Sequence, residues 1–557
     1  MTTSPGAEIA DLSAKAGDRE VDVIVVGSGA GGLSTAAVAA AGGASVVVLE
    51  KAASLGGTTR KAVGAVWIPD NRFMREAGLS DDHAACVRYI ARLARPHRYD
   101  PADARLGLAA GEFDGIEEFV ENAAEAHERL EELEAVRLRP TDGEPGSDYL
   151  GHLPENEAPR GRTIFPVDPE AADGDVEGAG NPLGGQWLVA GLAAAAQKRG
   201  TRIYTRAEVR DVVCVDGRVA GVRAATPTGA VELRARAGVV FASGGFTHDR
   251  DLRSEFLHGP VAGGCAALSN TGDFVRIAQS LGAVLGNMGE AWLAPLCLEM
   301  VATDPENAMS SFLTLGDGLV FVNRAGRRVV NEKLPYNEVA RVMGLWDPNA
   351  LEYSNSPLFA IWDEATASDW GLEMLGNPVR DASAPWVMSG ETLADLADQL
   401  SRRLERLRDV VGRVGLADDF VDTLGATLHR FGHFADSGVD EDFRRGETPF
   451  ERYVNGLLGA RGDRNPSLRR LAGSGPYFGT ILGLGTLDTK GGPRTDKVGR
   501  VLRGDGASVE GLFAVGNCAA SPFGQGYPAA GSTLGPILTA GHLTGSFLGS
   551  LFRGPRD

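Results

Sequence analysis

The sequence predicts an α/β protein in which a Rossmann-like nucleotide-binding domain is interrupted by a second, α+β domain. Three observations carry this. A short apolar strand runs into a glycine-rich turn and an alanine-rich helix near residue 30. Glycine-rich strand-and-turn sequence returns only after residue 483. The stretch between, from about 300 to 480, has a different character, with longer loops and a charged helical segment.

Residues 1–20 read as a flexible extension without the apolar h-region of a secretion signal. Residues 21–26 (VDVIVV) form a valine-rich buried strand. The helix that follows stops at Gly42-Gly43, and residues 44–49 (ASVVVL) form a second strand ending at Glu50. Residues 101–136 have helical spacing, residues 137–185 read as an irregular excursion, and Trp187 to Lys198 is a helix by composition. Residues 202–238 suggest a hairpin-rich meander with turns at Asp216-Gly217 and Thr228-Gly229. Val239 to Ala242 reads as a further buried strand, and about 391–435 as charged helix. The resulting boundaries are a nucleotide-binding domain from 1–296 and 489–557 and a catalytic domain over 297–488.

Composition removes several function classes. Of 557 residues, 55 are Lys or Arg and 74 are Asp or Glu, a net charge of −19. That balance argues against sequence-independent nucleic-acid binding and against polybasic attachment to anionic membranes. Glycine is enriched, at 75 residues. It falls in clusters beside apolar runs, where backbone approaches a ligand closely. The five cysteines, Cys86, Cys214, Cys265, Cys297 and Cys518, form no C-x-x-C pair. Zinc-ribbon, iron–sulfur and c-type haem sites therefore lack their ligands, the nine histidines have no metal spacing, and no metal is expected. Scattered thiols and the lack of an apolar run of about 18 residues suggest a cytoplasmic protein with no integral membrane segment.

The strongest motif is Gly27-x-Gly29-x-x-Gly32 between strand and helix. Its first glycine allows the tight turn, its second admits a pyrophosphate, and its third lets helix and strand pack closely. The helix N-terminus offers N–H groups and a partial positive charge to phosphate. Glu50 stands where a carboxylate takes a ribose hydroxyl. A second glycine pair, Gly56-Gly57 before Thr58-Thr59, is typical of FAD-binding two-dinucleotide-type folds. Gly516-Asn517 after the strand GLFAV, and Gly531-Ser532-x-Leu534 at a probable helix start, supply the other half from the C-terminus. The cofactor expected is FAD, bound non-covalently.

With these motifs in order, the chain resembles the 3-ketosteroid Δ1-dehydrogenases of the fumarate reductase/succinate dehydrogenase flavoprotein superfamily. The carriers are GSGAGG, LEK, GGTT, WIPDN (67–71), ASGGF (242–246), NTGD (270–273), EAWLAP (290–295), VNRAGRRVVNEKLPY (322–336), DTKGGPRTD (488–496), GLFAVGN (511–517) and GYPAAGSTLGP (526–536). The resemblance implies a wider cofactor set that includes Ala30, Gly31, Lys51, Val209, Ser243 and Gly244. It implies that Tyr527 O–H and Gly531 N–H hold the ketone oxygen as an oxyanion hole. Tyr336 matches the tyrosine that removes the proton α to the ketone, and Tyr149 is the candidate for an assisting second tyrosine. Hydride would pass from the β-carbon to flavin N5, leaving an α,β-unsaturated ketone, and the electrons would pass on to oxygen, a quinone or a redox protein.

Fumarate reductases carry an arginine four residues after the glutamate of the matching segment; here Glu332 is followed by Tyr336. The chain departs from the steroid enzymes at Arg60-Lys61-Ala62-Val63-Gly64-Ala65 and at an apparent insertion, Leu150-Gly151-His152. A smaller alicyclic ketone such as 4-oxocyclohexanecarboxylate is therefore an alternative substrate, with Arg160 or Arg162 as a clamp for its carboxylate. A flavin-dependent enone or fumarate-type reductase is a further alternative, because direction depends on the electron partner.

Overall fold

The computed structural model describes residues 20–141, 147–168, 181–308, 314–371, 377–456 and 464–553. The expected N-terminal extension, Glu20 apart, and parts of the 137–185 excursion lie outside these residues. The chain divides into two compact units. The first holds the chain up to Leu252, Ser269–Glu290, and Thr489 onward; the second holds Arg253–Leu268 and Ala291–Asp488. The piece Arg253–Leu268 carries no sequence signal that would assign it.

The first unit is built on an eight-stranded sheet. Its strands are β1 (Glu20–Val26), β2 (Val46–Leu49), β3 (Arg202–Tyr204), β4 (Glu208–Val215), β5 (Arg218–Thr226), β6 (Gly229–Phe241), β7 (Arg500–Leu502) and β8 (Ser508–Ala514). The order is β7-β8-β6-β1-β2-β3, with β5 paired to β6 and β4 to β5. The stretch β8-β6-β1-β2-β3 is parallel. The central strands β1 and β2 and the end of β6 are buried on both faces, which is why they read as valine-rich runs.

Two expectations for this sheet are corrected. Residues 202–204 do not belong to the meander: β3 pairs parallel with β2, Val48 opposite Ile203. Residues 239–242 are not a separate strand but the end of β6, whose first half pairs antiparallel with β5 and whose second half pairs parallel with β1. Gly238 marks the point where β8 closes in, since a Cβ there would lie 2.6 Å from the Phe513 ring.

Helices of this unit include α1 (Ala30–Ala41), α2 (Ala110–Glu132), α3 (Gly184–Lys198) and α4 (Leu534–Ser550). The expected helix over 101–136 starts only at Ala110, after a run of turns. Helix α4 crosses α1 on glycine: a Cβ on Gly541, Gly545 or Gly549 would approach within 2.0, 2.7 or 2.9 Å of atoms in α1 or its cap. The C-terminal helix thereby closes directly on the helix that opens at the glycine motif.

The second unit centres on the long strand Tyr477–Thr489. It pairs antiparallel with Leu358–Asp363, which in turn pairs with Leu319–Val322. The charged stretch expected near 391–435 resolves into helices Leu393–Arg406, Arg408–Val411 and Phe420–Ser437. The break follows Gly412, at φ +76°. Thr392 and Asp395 form a capping box at the first of these helices. Its Leu396, Leu400 and Leu404 pack into a core with Phe359, Ile361 and Phe431.

Candidate active site

The loops at 27–32, 50–59, 243–244 and 516–517 follow the carboxyl ends of parallel strands, where ligands bind in open α/β sheets. Gly27 follows β1 at φ +106°, and a Cβ on it would lie 2.3 Å from Ala242 O. A Cβ on Gly32 would lie 2.0 Å from Gly27 O. The protein's own packing therefore demands both glycines. Gly29 differs: it has φ −69°, and a Cβ there meets nothing nearer than Thr59 Oγ1 at 3.6 Å. Gly57 has φ +47° and nothing within 4 Å. The space bounded by residues 27–32 and 56–59 is thus a cradle that side chains would fill, and it fits a dinucleotide pyrophosphate.

Glu50 is buried at the end of β2. Its Oε2 accepts from Ser28 N (3.0 Å) and Ser28 Oγ (2.6 Å), and its Oε1 from Ala52 N (2.8 Å). Ser28 Oγ accepts from Gly56 N at 3.0 Å, and Thr59 Oγ1 from Ala30 N at 3.1 Å, which fastens the two glycine loops together. Gly31 packs against Ile537 of α4 and Val515. The NTGD segment is a second clamp: Asn270 Nδ2 donates to Thr58 Oγ1 (3.1 Å), and Lys51 Nζ donates to Thr271 Oγ1 (2.7 Å) and Asp273 (2.6 Å). Ser243 and Gly244 follow β6, with Gly244 at φ +74° facing the Asn270 side chain. Gly516 follows β8 at φ +75°, and Asn517 lies in its short turn. Val209 is buried in β4, Ser532 Oγ accepts from Ala529 N (2.9 Å), and Leu534 opens α4.

Tyr149 and Tyr527 come together. Both are buried, and their rings meet edge to face, 5.5 Å between centroids at 70°. Pro528 O accepts from Tyr149 N (2.9 Å) and from the Tyr89 hydroxyl (3.0 Å). Gly531 follows at φ +90°, and a Cβ on it would lie 2.5 Å from Trp67 N. Its carbonyl accepts from Trp67 N (3.2 Å) and Gly535 N (2.9 Å). Its own N–H, buried, has no acceptor among the described residues. A buried N–H without a partner is rare and costly, and points to an acceptor supplied from outside the chain.

Tyr336 belongs to the second unit, where it is buried and begins the helix Tyr336–Arg341 after Pro335. The next residue ties that helix down: Asn337 Oδ1 accepts from Leu293 N at 3.1 Å. Four residues earlier, Glu332 is fully buried between Arg328 (2.8 Å) and Arg445 (3.0 Å). Burial pushes its carboxyl up, but the two guanidinium groups hold it down to about 2. Lys333, also buried, donates to the carbonyls of Thr314 and Gly316, and burial drives its ammonium well below the usual lysine range.

One expectation fails here. Arg162 does not serve as a carboxylate clamp for substrate. It is buried, paired with Asp81 (2.6 Å) and Asp148 (2.7 Å), and lies over the Trp67 ring. Asp148 also accepts from Trp67 Nε1 (2.9 Å). Arg160 is exposed and forms an isolated bridge with Ser147. Sequence reasoning missed Tyr89 and Thr163, which hydrogen-bond the 527–531 loop. The WIPDN motif quoted above was the one available signal for the loop's supports: Trp67 holds Gly531, and Asn71 caps the helix Arg72–Glu76.

A model of the FAD binding domain matches residues 22–534. The chain is 32% identical to a 4-oxocyclohexanecarboxylate 2-dehydrogenase from Sinomonas cyclohexanicum, over 94% of this chain and 92% of that protein. It is 30% identical to a 3-oxosteroid 1-dehydrogenase from Mycolicibacterium smegmatis, over 94% and 96%. Among solved structures it is similar to 3-ketosteroid Δ1-dehydrogenase from Sterolibacterium denitrificans in complex with 1,4-androstadiene-3,17-dione. That match has a TM-score of 0.78 and 26% identity, and covers 96% of this chain and 100% of that one. With the glycine cradle and the matched span taken together, the chain belongs to the FAD-binding flavoproteins of the 3-oxosteroid 1-dehydrogenase family and is an FAD-dependent dehydrogenase.

Proposed function

We propose that the protein desaturates a cyclic ketone beside its carbonyl, with a 3-oxosteroid as the first candidate substrate. The observation that carries this reading is the pairing of Tyr527 with the unpartnered, buried N–H of Gly531, four residues away. A phenol O–H and an amide N–H aimed at one oxygen stabilise a developing enolate, and each donor in such a hole contributes about 3 kcal/mol. Tyr336 takes the α proton. Its phenol, ordinarily ionising near pH 10, is a weak base at neutrality, and Tyr149, in ring contact with Tyr527, is the candidate for assisting it. FAD, held by the cradle through residues 27–32, Glu50 and 56–59, supplies the hydride acceptor when bound. The ketone loses a proton and a hydride and becomes an enone. The two electrons then leave for oxygen, a quinone or a redox protein.

A second reading, a smaller alicyclic keto acid, is supported by the 32% identity to the 4-oxocyclohexanecarboxylate enzyme. The engagement of Arg162 with two carboxylates weighs against it, because it removes one of the two candidate clamps. The test is anaerobic flavin bleaching of the purified protein by androst-4-ene-3,17-dione and, separately, by 4-oxocyclohexanecarboxylate. Rapid bleaching by the steroid is expected. Bleaching only by the small ketone keeps the mechanism and changes the substrate. Bleaching by neither, with dye-reduced enzyme reoxidised by an enone, replaces desaturation by alkene reduction.

A further inference from the structure

We propose that Thr163 is a positioning residue that aims the Gly531 N–H at the substrate oxygen; the inference rests on the desaturase reading above. Thr163 Oγ1 donates to Ala530 O at 2.9 Å. That carbonyl and the Gly531 N–H belong to the same peptide unit. Because the unit is planar and trans, the two point in opposite directions within one plane. A donor fixed on the oxygen therefore fixes where the N–H points. It also polarises the amide, which makes the N–H a stronger donor.

The following peptide is held as well. Gly531 O accepts from Trp67 N, and Trp67 is the direct antiparallel partner of Thr163 in the short ladder Val66–Trp67 against Thr163–Pro166. One rung of that ladder thus supplies both donors, a hydroxyl and an amide, to the two peptide planes flanking Gly531. The rung is itself fixed. Arg162, adjacent to Thr163, is clamped by Asp81 and Asp148, and Asp148 also takes the Trp67 indole N–H. Thr163 is buried and β-branched, so its hydroxyl has few rotamers to lose. The φ of +90° at Gly531 and the 2.5 Å from its would-be Cβ to Trp67 N explain why glycine stands there. Thr163 acts through Ala530 and Gly531 and not by touching the ketone.

The test compares holoenzyme with Thr163→Val, which keeps the branched shape and loses the hydroxyl, and Thr163→Ser, which keeps the hydroxyl. Thr163→Val should retain its FAD-to-protein ratio and lose about tenfold in kcat on whichever ketone bleaches the wild type, with KM little changed. Thr163→Ser should recover most of that loss. A second readout is p-nitrophenol, whose anion, like an enolate, carries its charge on an oxygen joined to a planar ring. Bound to oxidised wild type it should ionise at a lower pH than when bound to Thr163→Val. Wild-type kcat and unchanged p-nitrophenol ionisation in Thr163→Val would overturn the positioning role while leaving the desaturase reading intact. A Thr163→Ser protein as slow as Thr163→Val would also overturn it, since packing and not the hydroxyl would then matter. If neither ketone bleaches the wild type, the desaturase reading falls, and the p-nitrophenol comparison still decides whether Thr163 aims the Gly531 donor.

Discussion

The two units prepare their candidate chemistry by opposite means. In the first, most of the groups proposed to meet ligand are backbone: glycine turns, a helix N-terminus and, among the described residues, the unpartnered Gly531 N–H, with the Tyr527 phenol beside it. Its buried ion cluster, Arg162 with Asp81 and Asp148, stands behind the loop it supports. In the second, Tyr336 follows directly on a run of buried charge: Glu332 between two arginines, Arg328 shared with Asp440, and Lys333 capped by carbonyls. Phosphate and enolate oxygens are stabilised by close, fixed donors, and bare backbone at glycine lets its amides approach closely. A phenol asked to give up and regain a proton needs a rigid seat, and buried ion pairs give rigidity at the cost of desolvation. The difference implies that the first unit fails by steric insult and the second by loss of charge.

The largest expected effect tests the second unit's chemistry. Tyr336→Phe should lower turnover by about 10⁴-fold while the protein stays yellow. Steady-state rates and the flavin absorbance check it, and a near-normal rate would remove Tyr336 from the role of base. Next comes the charge itself. Glu332→Gln leaves two buried guanidinium groups short of a counter-charge and should cost roughly 3 kcal/mol at pH 7. The pH dependence has a definite sign. The folded carboxyl lies at about 2, below its ordinary value of 4.5. Its contribution is complete above pH 4.5 and is lost as pH falls toward 2. Thermal melts of the holoenzyme from pH 5 down to pH 3 should therefore drop less steeply for Glu332→Gln than for wild type. Equal slopes would show that Glu332 is not the group being protonated.

The same contrast governs what the sequence discloses. The cradle is legible because its parts are local: strand, G-x-G-x-x-G, helix, strand and acid fall within about 30 residues. The supports of Gly531 are not, because Thr163 and Ala530 are 367 residues apart and Thr163 sits in a stretch rich in turn formers. Arg162 reads as a free clamp in the sequence because Asp81 and Asp148 reach it from separate loops. Strand β6 reads as two pieces because its first half is partly exposed in a hairpin while its second is buried on both faces. The sequence marks only a probable helix start at 531–534, and the reason for the glycines further along α4 appears only when α1 is seen lying against them. What stayed hidden is what long-range packing supplies.

The smallest of these effects separates the two kinds of glycine within one motif. Gly32→Ala places a methyl group 2.0 Å from Gly27 O, a backbone atom that must move, so the apoprotein itself should melt lower. Gly29→Ala places one 3.6 Å from its nearest neighbour, at a backbone conformation open to alanine (φ −69°, ψ −179°). Its apoprotein should melt at or slightly above the wild-type temperature, since alanine also reduces the freedom of the unfolded chain. The added methyl would instead enter the cradle proposed for pyrophosphate. FAD affinity, followed by quenching of flavin fluorescence on reconstitution, should fall by about 10- to 100-fold. One substitution thus damages the fold and the other damages only the site, although the residues are three apart. A Gly29→Ala protein that binds FAD as the wild type does would mean that the pyrophosphate lies elsewhere, and the cradle would have to be redrawn around Gly57.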